Sequence, residues 1–293
     1  MPISQFTSPL TILLDHIVLL VSHTTLQSLP DHLANHFTLA PGGTHADGLT
    51  TNKLILFRGG VYLELIAFFD HISPEQRRAH RWGNLPENTV IDWALTLHSA
   101  GEFGAVQARV RARSSDTRIS YADPVPSGRV REGDGVRLEW EISLAVRGAV
   151  DEDKVGGANM AQVGVEPGWL PFWCLDRTPR DWRVPYKDEA GEVAGEGWTR
   201  HPSGVTGVKR VEVVVPEGEV EGLSGVYKAV LGEQLTSSSG WGVGVPSAGM
   251  VGGEVGLVGV ASSEQTGVRL VLKGERAGRV ELVPGLVVEI FED

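Results

Sequence analysis

At 293 residues, with 41% hydrophobic and 22% charged side chains, the chain can build one large domain or two smaller ones around a proper core. A formal net charge of −11 excludes a non-specific polyanion binder, because phosphate binding is driven by basic patches larger than "EQRRAHR" at 75–81; no nucleic-acid partner is expected. The lone Cys174 excludes an internal disulfide framework and a thiolate zinc cluster, and no apolar run approaches the roughly 20 residues that span a membrane.

The first predicted element is a strand over 12–21, "TILLDHIVLLV", whose apolar run is broken by Asp15 and His16. It lacks the basic flank and small-residue cleavage site of a signal peptide, so the expectation is an unprocessed, cytoplasmic protein with no membrane partner. A helix comes next over about 24–36, with Thr24 or Thr25 available as N-cap. Then come the glycine turn "APGGTHADG", a strand at about 51–58, a Gly-Gly hairpin, and the strand 61–69, which Glu64 interrupts. The order is β-α-β-β-β.

A second segment repeats that order. "TVIDWALTLH" at 89–98 reads as a strand, and "GEFGAVQARVRAR" as a helix with Phe103, Val106 and Val110 on one side. "SYADPVPSGRVREGDGVRLEWEISLAV" carries an "EGDG" turn between strands, and after a loop of about 22 residues (147–168) comes the strand "GWLPFWCLD". A polar stretch at 187–204 reads as a linker. Beyond it, 205–293 offers a third copy: strand "GVKRVEVVVP", helix "VEGLSGVYKAVLG", two strands and a closing hairpin. Repetition of one unit implies modules that bury their sheet faces by pairing. The expected fold class is α+β: repeated βαβββ modules forming a curved, cup-shaped mixed or antiparallel sheet with helices outside. Module 1 spans about 10–72 and module 2 about 88–182, pairing within 1–186. The third module packs on the cup or forms a homodimer.

Two compositional gradients matter. Many of the 37 glycines lie after residue 147, notably in "VGGANMAQVGVEPG" and "SSSGWGVGVPSAGMVGGEVG", which read as long mobile loops. Eight of the nine histidines lie within the first 98 residues, which places proton and metal chemistry in the N-terminal part. "GVGVPSAG" and "SGWGVG" lack the lysine and strand-to-helix context of a phosphate loop, so no nucleotide cofactor is expected. No G-x-S-x-G elbow occurs.

The stretches "LDHIVLLV" (14–21), "GGTHADGLTTNKLILF" (42–57), "YLELIAF" (62–68), "DWALTL" (92–97) and "LPFWCLDRTPR" (170–180) resemble the vicinal oxygen chelate superfamily, and more narrowly its glyoxalase-like domain family. "HPSGVTGVKRVEVVVP" at 201–216 resembles the start of a later module. The resemblance implies a cup whose divalent ion (Zn, Fe, Mn or Ni) is held by a His from a module's first strand and a Glu from its last. His16 and Glu64 match that pair, and either could alternatively serve as a general base. His45, in the Gly-rich loop with Asp47 and Asn52 nearby, is a third candidate; two His and one Glu are ligands that non-haem iron uses. Aligning "VIDWALTL" on "LLDHIVLL" puts Trp93 where His16 stands. Aligning "LPFWCLD" on "YLELIAF" puts an aromatic near Glu64, with Asp176 somewhat beyond. The third module offers Arg210 at the His16 position and Glu281 as an equivalent of Glu64. A four-ligand site from two modules is therefore not expected. Trp93, Asn52, Trp140, Phe172 and Trp173 are candidate walls for a small-molecule substrate, Arg180 a candidate anchor for its carboxylate, and Cys174 an inert buried thiol. Three functions are open: an enzyme acting on a small carbonyl- or hydroxyl-bearing compound, a non-catalytic binding or sequestering protein, and an Fe(II) dioxygenase. By alternation, Asp15 should face away from His16.

Overall fold

A computed structural model describes residues 11–114, 116–131, 134–148, 164–186, 197–233, 235–238 and 240–293. Module 1 comprises β1 (Leu13–Leu20), α1 (His23–Leu33), β2 (Ala40–Thr44), β3 (Thr50–Leu56) and β4 (Tyr62–Phe68). A short helix α2 (Pro74–Ala79) leads to module 2, formed by β5 (Thr89–Thr96), α3 (Phe103–Arg113), β6 (Ile119–Tyr121), β7 (Val125–Val130), β8 (Arg137–Ser143), β9 (Ala145–Arg147) and β10 (Phe172–Asp176), with the single-turn helix α4 (Arg180–Arg183) after it. Eight of these strands make one mixed sheet in the order β2-β3-β4-β1-β5-β10-β8-β7, while β6 and β9 pair separately. The sheet curls until its edges β2 and β7 approach, giving the expected nearly closed α+β cup with helices outside.

The local signals explain most boundaries. α1 is capped by Ser22, whose Oγ accepts the Thr25 N–H at 3.0 Å, just ahead of the threonines expected to do so. The "APGGT" stretch read as a turn is strand β2, paired with β3; the turn itself is confined to residues 45–49. α2 has a capping box between Ser73 and Gln76. α3 buries Phe103, Val106 and Val110 as predicted. Much of the 147–168 loop, and the first half of the 187–204 linker, lie outside the described residues.

The two modules meet at β1 and β5, which pair antiparallel, while β4 and β10 run parallel to their own module's first strand. Ile17 faces Trp93, His16 faces Ala94, and Val18 faces Asp92. The pseudo-two-fold through that central pair therefore exchanges Ile17 with Trp93 and His16 with Asp92. This corrects the alignment of Trp93 on His16. The sequence alignment matched the two aspartates, whereas the one-residue irregularities of the pairing skip Asp15 in β1 and Ile91 in β5 and so make those two residues equivalent. A slip of one residue moves a side chain to the other face of a sheet.

Residues 205–293 form a second sheet of β11 (Val205–Pro216), β12 (Gly240–Val243), β13 (Gly253–Val260), β14 (Gly267–Gly274), β15 (Gly278–Val283) and β16 (Leu286–Glu292), with α5 (Glu217–Leu231) after β11. Its order is β12-β13-β11-β14-β16-β15. The pairings β13/β11 parallel, β11/β14 antiparallel and β14/β16 parallel repeat those of β4-β1-β5-β10, but no helix comes after β14. This sheet and its helix share one core with the outer face of the cup. Arg109 of α3 donates to the Val230 carbonyl of α5 at 2.9 Å, and Trp93 stacks on Tyr227 with centroids 6.3 Å apart. The glycine-rich stretch read as a mobile loop contributes β12, and Gly244 exchanges backbone hydrogen bonds with Ile12 and Leu14 at 3.0 and 2.9 Å. Glu281 is not an equivalent of Glu64. It lies exposed on the edge strand β15, where its carboxylate accepts the Gly285 N–H, and Gly256 takes the position beside β11 that Glu64 takes beside β1. Arg210 is paired with Glu254 at 2.7 Å. Among the described residues no helix is long and apolar enough to cross a membrane.

Candidate active site

The cup encloses a cavity of about 280 Å³ lined from both modules. β1 supplies His16, β3 supplies Asn52, β4 supplies Tyr62 and Glu64, and the turn after β2 supplies His45; module 2 supplies Trp140, Phe172, Cys174 and Arg129. Alternation on β10 sends Phe172 and Cys174 inward and Trp173 outward.

Glu64 is the centre of this group. Its Oε2 lies 3.5 Å from His16 Nε2, and its Oε1 lies 3.3 Å from His45 Nε2 and accepts from Asn52 Nδ2. Burial opposes ionisation of Glu64, but the His45 hydrogen bond, the charges of His45 and His16, and the Asn52 amide outweigh it and bring the carboxyl to about 2. The Asn52 Oδ1 in turn accepts the Gly43 N–H at 2.9 Å, fixing which way the amide faces. His45 is oriented through Nδ1 by Thr50 Oγ1 at 2.8 Å.

His16 is held from the other side. Its Nδ1–H donates to Asp15 Oδ1 at 2.5 Å, its ring stacks on Tyr62 with centroids 4.7 Å apart, and the edge of Phe172 meets it at 5.3 Å. Asp15 thus stands beside His16, not on the opposite face as alternation implies, because the irregularity in β1 falls on it. Asp15 is fully buried and is met by Arg180 and by Arg183 Nη2 at 2.9 Å, both from α4. Burial resists its ionisation, but the two guanidinium groups and His16 hold its carboxyl well below the usual range.

Asp92, the symmetry counterpart of His16, is also fully buried and also claimed by an arginine. Arg81 pairs with it and Trp82 Nε1 donates to it at 3.0 Å. Arg81 in turn lies over the rings of Trp82 and Phe172, each 4.5 Å away. The counterpart of Glu64 is Phe172, which faces Ala94 as Glu64 faces Val18. Module 2 therefore has no second His–Glu pair, as expected; an aromatic does occupy the Glu64 position.

Two predicted wall residues and the predicted anchor lie elsewhere. Trp93 is buried on the outer face, donating to the Gly168 carbonyl at 3.0 Å, and Trp173 packs there against Phe103 and Tyr121. Arg180 does not line the cavity, since Asp15, Asp176 and the Gly60 carbonyl engage its guanidinium. Trp140, Phe172 and Asn52 do line it. Cys174 is buried, and burial pushes its thiol well above the usual range. Among the described residues, Asp15, His16 and Cys174 form a set whose ligand atoms lie within 4.8 Å of one another, but the two arginines already engage Asp15.

Sequence reasoning missed Arg81, Arg129 and His80. His80 lines the cavity with its Nδ1 accepting the Trp82 N–H at 3.2 Å, and burial brings it to about 4. Val125, Ser127 and Arg129 share one parity on β7, a signal that places them on one face.

A family model described as glyoxalase-like domain matches residues 14–228, and the chain belongs to that family. No curated protein matches. Among solved structures, the chain is similar to BphC, a halotolerant catechol dioxygenase, at 10% identity and a TM-score of 0.42 over 96% of this chain and 86% of that one. It is similar to methylmalonyl-CoA epimerase from Mycobacterium tuberculosis at 15% identity and a TM-score of 0.31, over 57% and 89%. It spans 36% of a xylose isomerase-like TIM barrel/4-hydroxyphenylpyruvate dioxygenase fusion protein, at 11% identity and a TM-score of 0.41 over 89% of this chain.

Proposed function

We propose that the chain is an enzyme acting on a small carbonyl- or hydroxyl-bearing organic molecule in this cavity, with His16, His45 and Glu64 as its reactive centre. One observation carries the reading. Both histidines are anchored through Nδ1, and both direct Nε2 at different oxygens of one buried carboxylate, 3.5 and 3.3 Å away.

With its Nδ1–H given to Asp15, a neutral His16 presents a lone pair to Glu64. A lone pair facing a carboxylate repels it unless a proton or a metal cation stands between them. Two imidazole nitrogens and one carboxylate suit Zn, Fe, Mn or Ni, and a carboxylate bound to the far nitrogen of a ligating histidine is the usual support for such a ligand. The donor set therefore fits a divalent ion, which would supply Lewis acidity toward a substrate oxygen. Around it, this chain's residues have separate tasks. Asp15 fixes the His16 ring and tautomer, Asn52 fixes Glu64, and Phe172 and Trp140 exclude water and form an apolar wall.

The test is a screen of the protein loaded in turn with Zn, Mn, Fe and Ni against small hydroxyketones, 2-oxoaldehydes and catechols, following product and oxygen uptake. Turnover that is lost in Glu64→Gln and in His16→Ala supports the reading, and oxygen uptake with catechol assigns it to the dioxygenase class. Turnover that persists in both variants sinks it.

A further inference from the structure

The cavity contains one cation that the catalytic reading leaves unused. Arg129 projects from β7 into it at 7% exposure, and its Nη1 is buried without a hydrogen-bond partner. The neighbouring cavity arginines are committed: Arg81 to Asp92, and Arg183 to Asp15 and Asp176. Among the described residues Arg129 has no ion pair. Burying an unpaired guanidinium is costly, and buried charges normally find a partner. Burial accordingly lowers its proton affinity, while Tyr62 and Glu64 oppose that effect from across the cavity.

Its placement is built. Arg129 sits where the sheet edges β2 and β7 approach, and a Cβ added at Gly43 would fall 3.1 Å from Nη1, so the missing side chain leaves room for the guanidinium to lie against β2. The same Gly43 donates its N–H to Asn52, and Asn52 donates to Glu64. The unpaired cation and the reactive carboxylate thus flank one short stretch of backbone. Phe172, Trp140, Val125 and Ile142 supply apolar surface in the same cavity.

From this arrangement we infer that the cavity takes an organic carboxylate, its anionic group received by Arg129 and its ring or short aliphatic body lying against Phe172 and Trp140. A guanidinium binds a carboxylate through two parallel N–H donors, which gives both strength and orientation. About 280 Å³ limits the ligand to less than drug size. The inference deepens the proposed function and rests on the same cavity being the substrate site. It also moves the carboxylate anchor from Arg180, which lies outside the cavity and is held by Asp15, Asp176 and the Gly60 carbonyl, to Arg129.

The probes are benzoate and its uncharged isostere benzamide, titrated into the purified protein while tryptophan fluorescence is followed, since Trp82 and Trp140 line the cavity. Benzoate is expected to saturate the signal and benzamide to bind at least about tenfold more weakly. Arg129→Gln should weaken benzoate about ten- to a hundredfold and abolish the preference, as expected for losing a hydrogen bond to a charged group, and Arg129→Lys should fall between. Equal binding of the two probes, binding of neither, or a preference that survives in Arg129→Gln overturns the inference and leaves Arg129 as a counter-charge to Glu64. If near-ultraviolet dichroism shows that Arg129→Gln does not fold, the wild-type ratio and Arg129→Lys decide. Glu64→Gln separates the two readings: it should abolish turnover yet keep the benzoate preference. A preference without any turnover removes the enzyme and keeps the anion site.

Discussion

The two halves of the cup share a backbone and divide the labour. Each begins with a strand holding a fully buried aspartate gripped by arginines from beyond a module's last strand, Asp15 by Arg180 and Arg183, Asp92 by Arg81. In module 1 the irregularity places Asp15 behind His16, so the carboxylate orients an imidazole whose other nitrogen faces Glu64. In module 2 the aspartate occupies the His16 position itself, and Phe172 replaces Glu64. The same geometry yields a buried histidine–carboxylate cluster, the proposed reactive centre, on one side and a clamp with an aromatic wall on the other. A pseudo-symmetric fold fixes where side chains converge, and the residues at the paired positions decide what happens there.

Paired substitutions break this comparison most forcefully. Asp92→Asn leaves the buried Arg81 without its counter-charge, and Asp15→Asn leaves Asp176 alone to balance both Arg180 and Arg183; each should lose about 3–5 kcal/mol in stability, measurable by urea denaturation. The two should diverge in metal affinity: Asp15→Asn should lower it about 10–100-fold by freeing His16, while Asp92→Asn leaves it unchanged. Matching effects of both on the metal would contradict the division of labour. The tryptophans make a second pair. Trp93→Ala removes an outer-face anchor and should cost about 3–5 kcal/mol with little change in benzoate affinity, whereas Trp140→Ala should weaken ligand binding more than stability.

The modules were legible in the sequence because each first strand reads as an apolar run broken by an aspartate and is followed by helix and turn signals in the same order. Glu64 and His16 stood out as ionisable groups where burial forbids idle charge. The face of Trp93 was not legible, because the shared aspartates invite matching Asp92 with Asp15, whereas the strand pairing makes Asp92 the equivalent of His16. Alternation alone put Asp15 on the wrong side, because the irregularity in β1 leaves no mark in composition. Arg129 and Arg81 reach the cavity across the sheet closure and from a loop after β4, and only the fold reveals those approaches, although the parity of Val125, Ser127 and Arg129 was available.

A smaller asymmetry lies behind module 1, where the second half of the 187–204 stretch docks His201. Its Nδ1 accepts the Thr38 N–H at 3.2 Å and its Nε2–H donates to the Leu56 carbonyl at 3.0 Å. Protonation would set two N–H groups against each other, and burial, with the Arg58 charge, brings this group to about 4 despite the Leu56 bond. The unfolded chain takes up this proton near pH 6.5, the folded chain only near 4, so acidification through that window favours unfolding by up to about 3 kcal/mol. Stability measured by denaturant titration at about pH 7 and about pH 4.5 should show the loss, and His201→Asn should reduce it without abolishing it, since buried His80 is brought to about 4 in the same way; an unchanged slope in the variant would assign the acid sensitivity elsewhere. The smallest expected effect is at the support of His45: Thr50→Val removes the hydroxyl that orients Nδ1 and should lower metal affinity about tenfold.

The central claim, that module 1 alone supplies a metal-binding centre, is tested most directly by elemental analysis after exposure to Zn, Mn, Fe or Ni and dialysis. The account predicts one divalent ion per chain in the wild type and in Asp92→Asn, and background levels in Glu64→Gln and His16→Ala. Background levels in the wild type with every metal, or one ion per chain retained in Glu64→Gln, would contradict it.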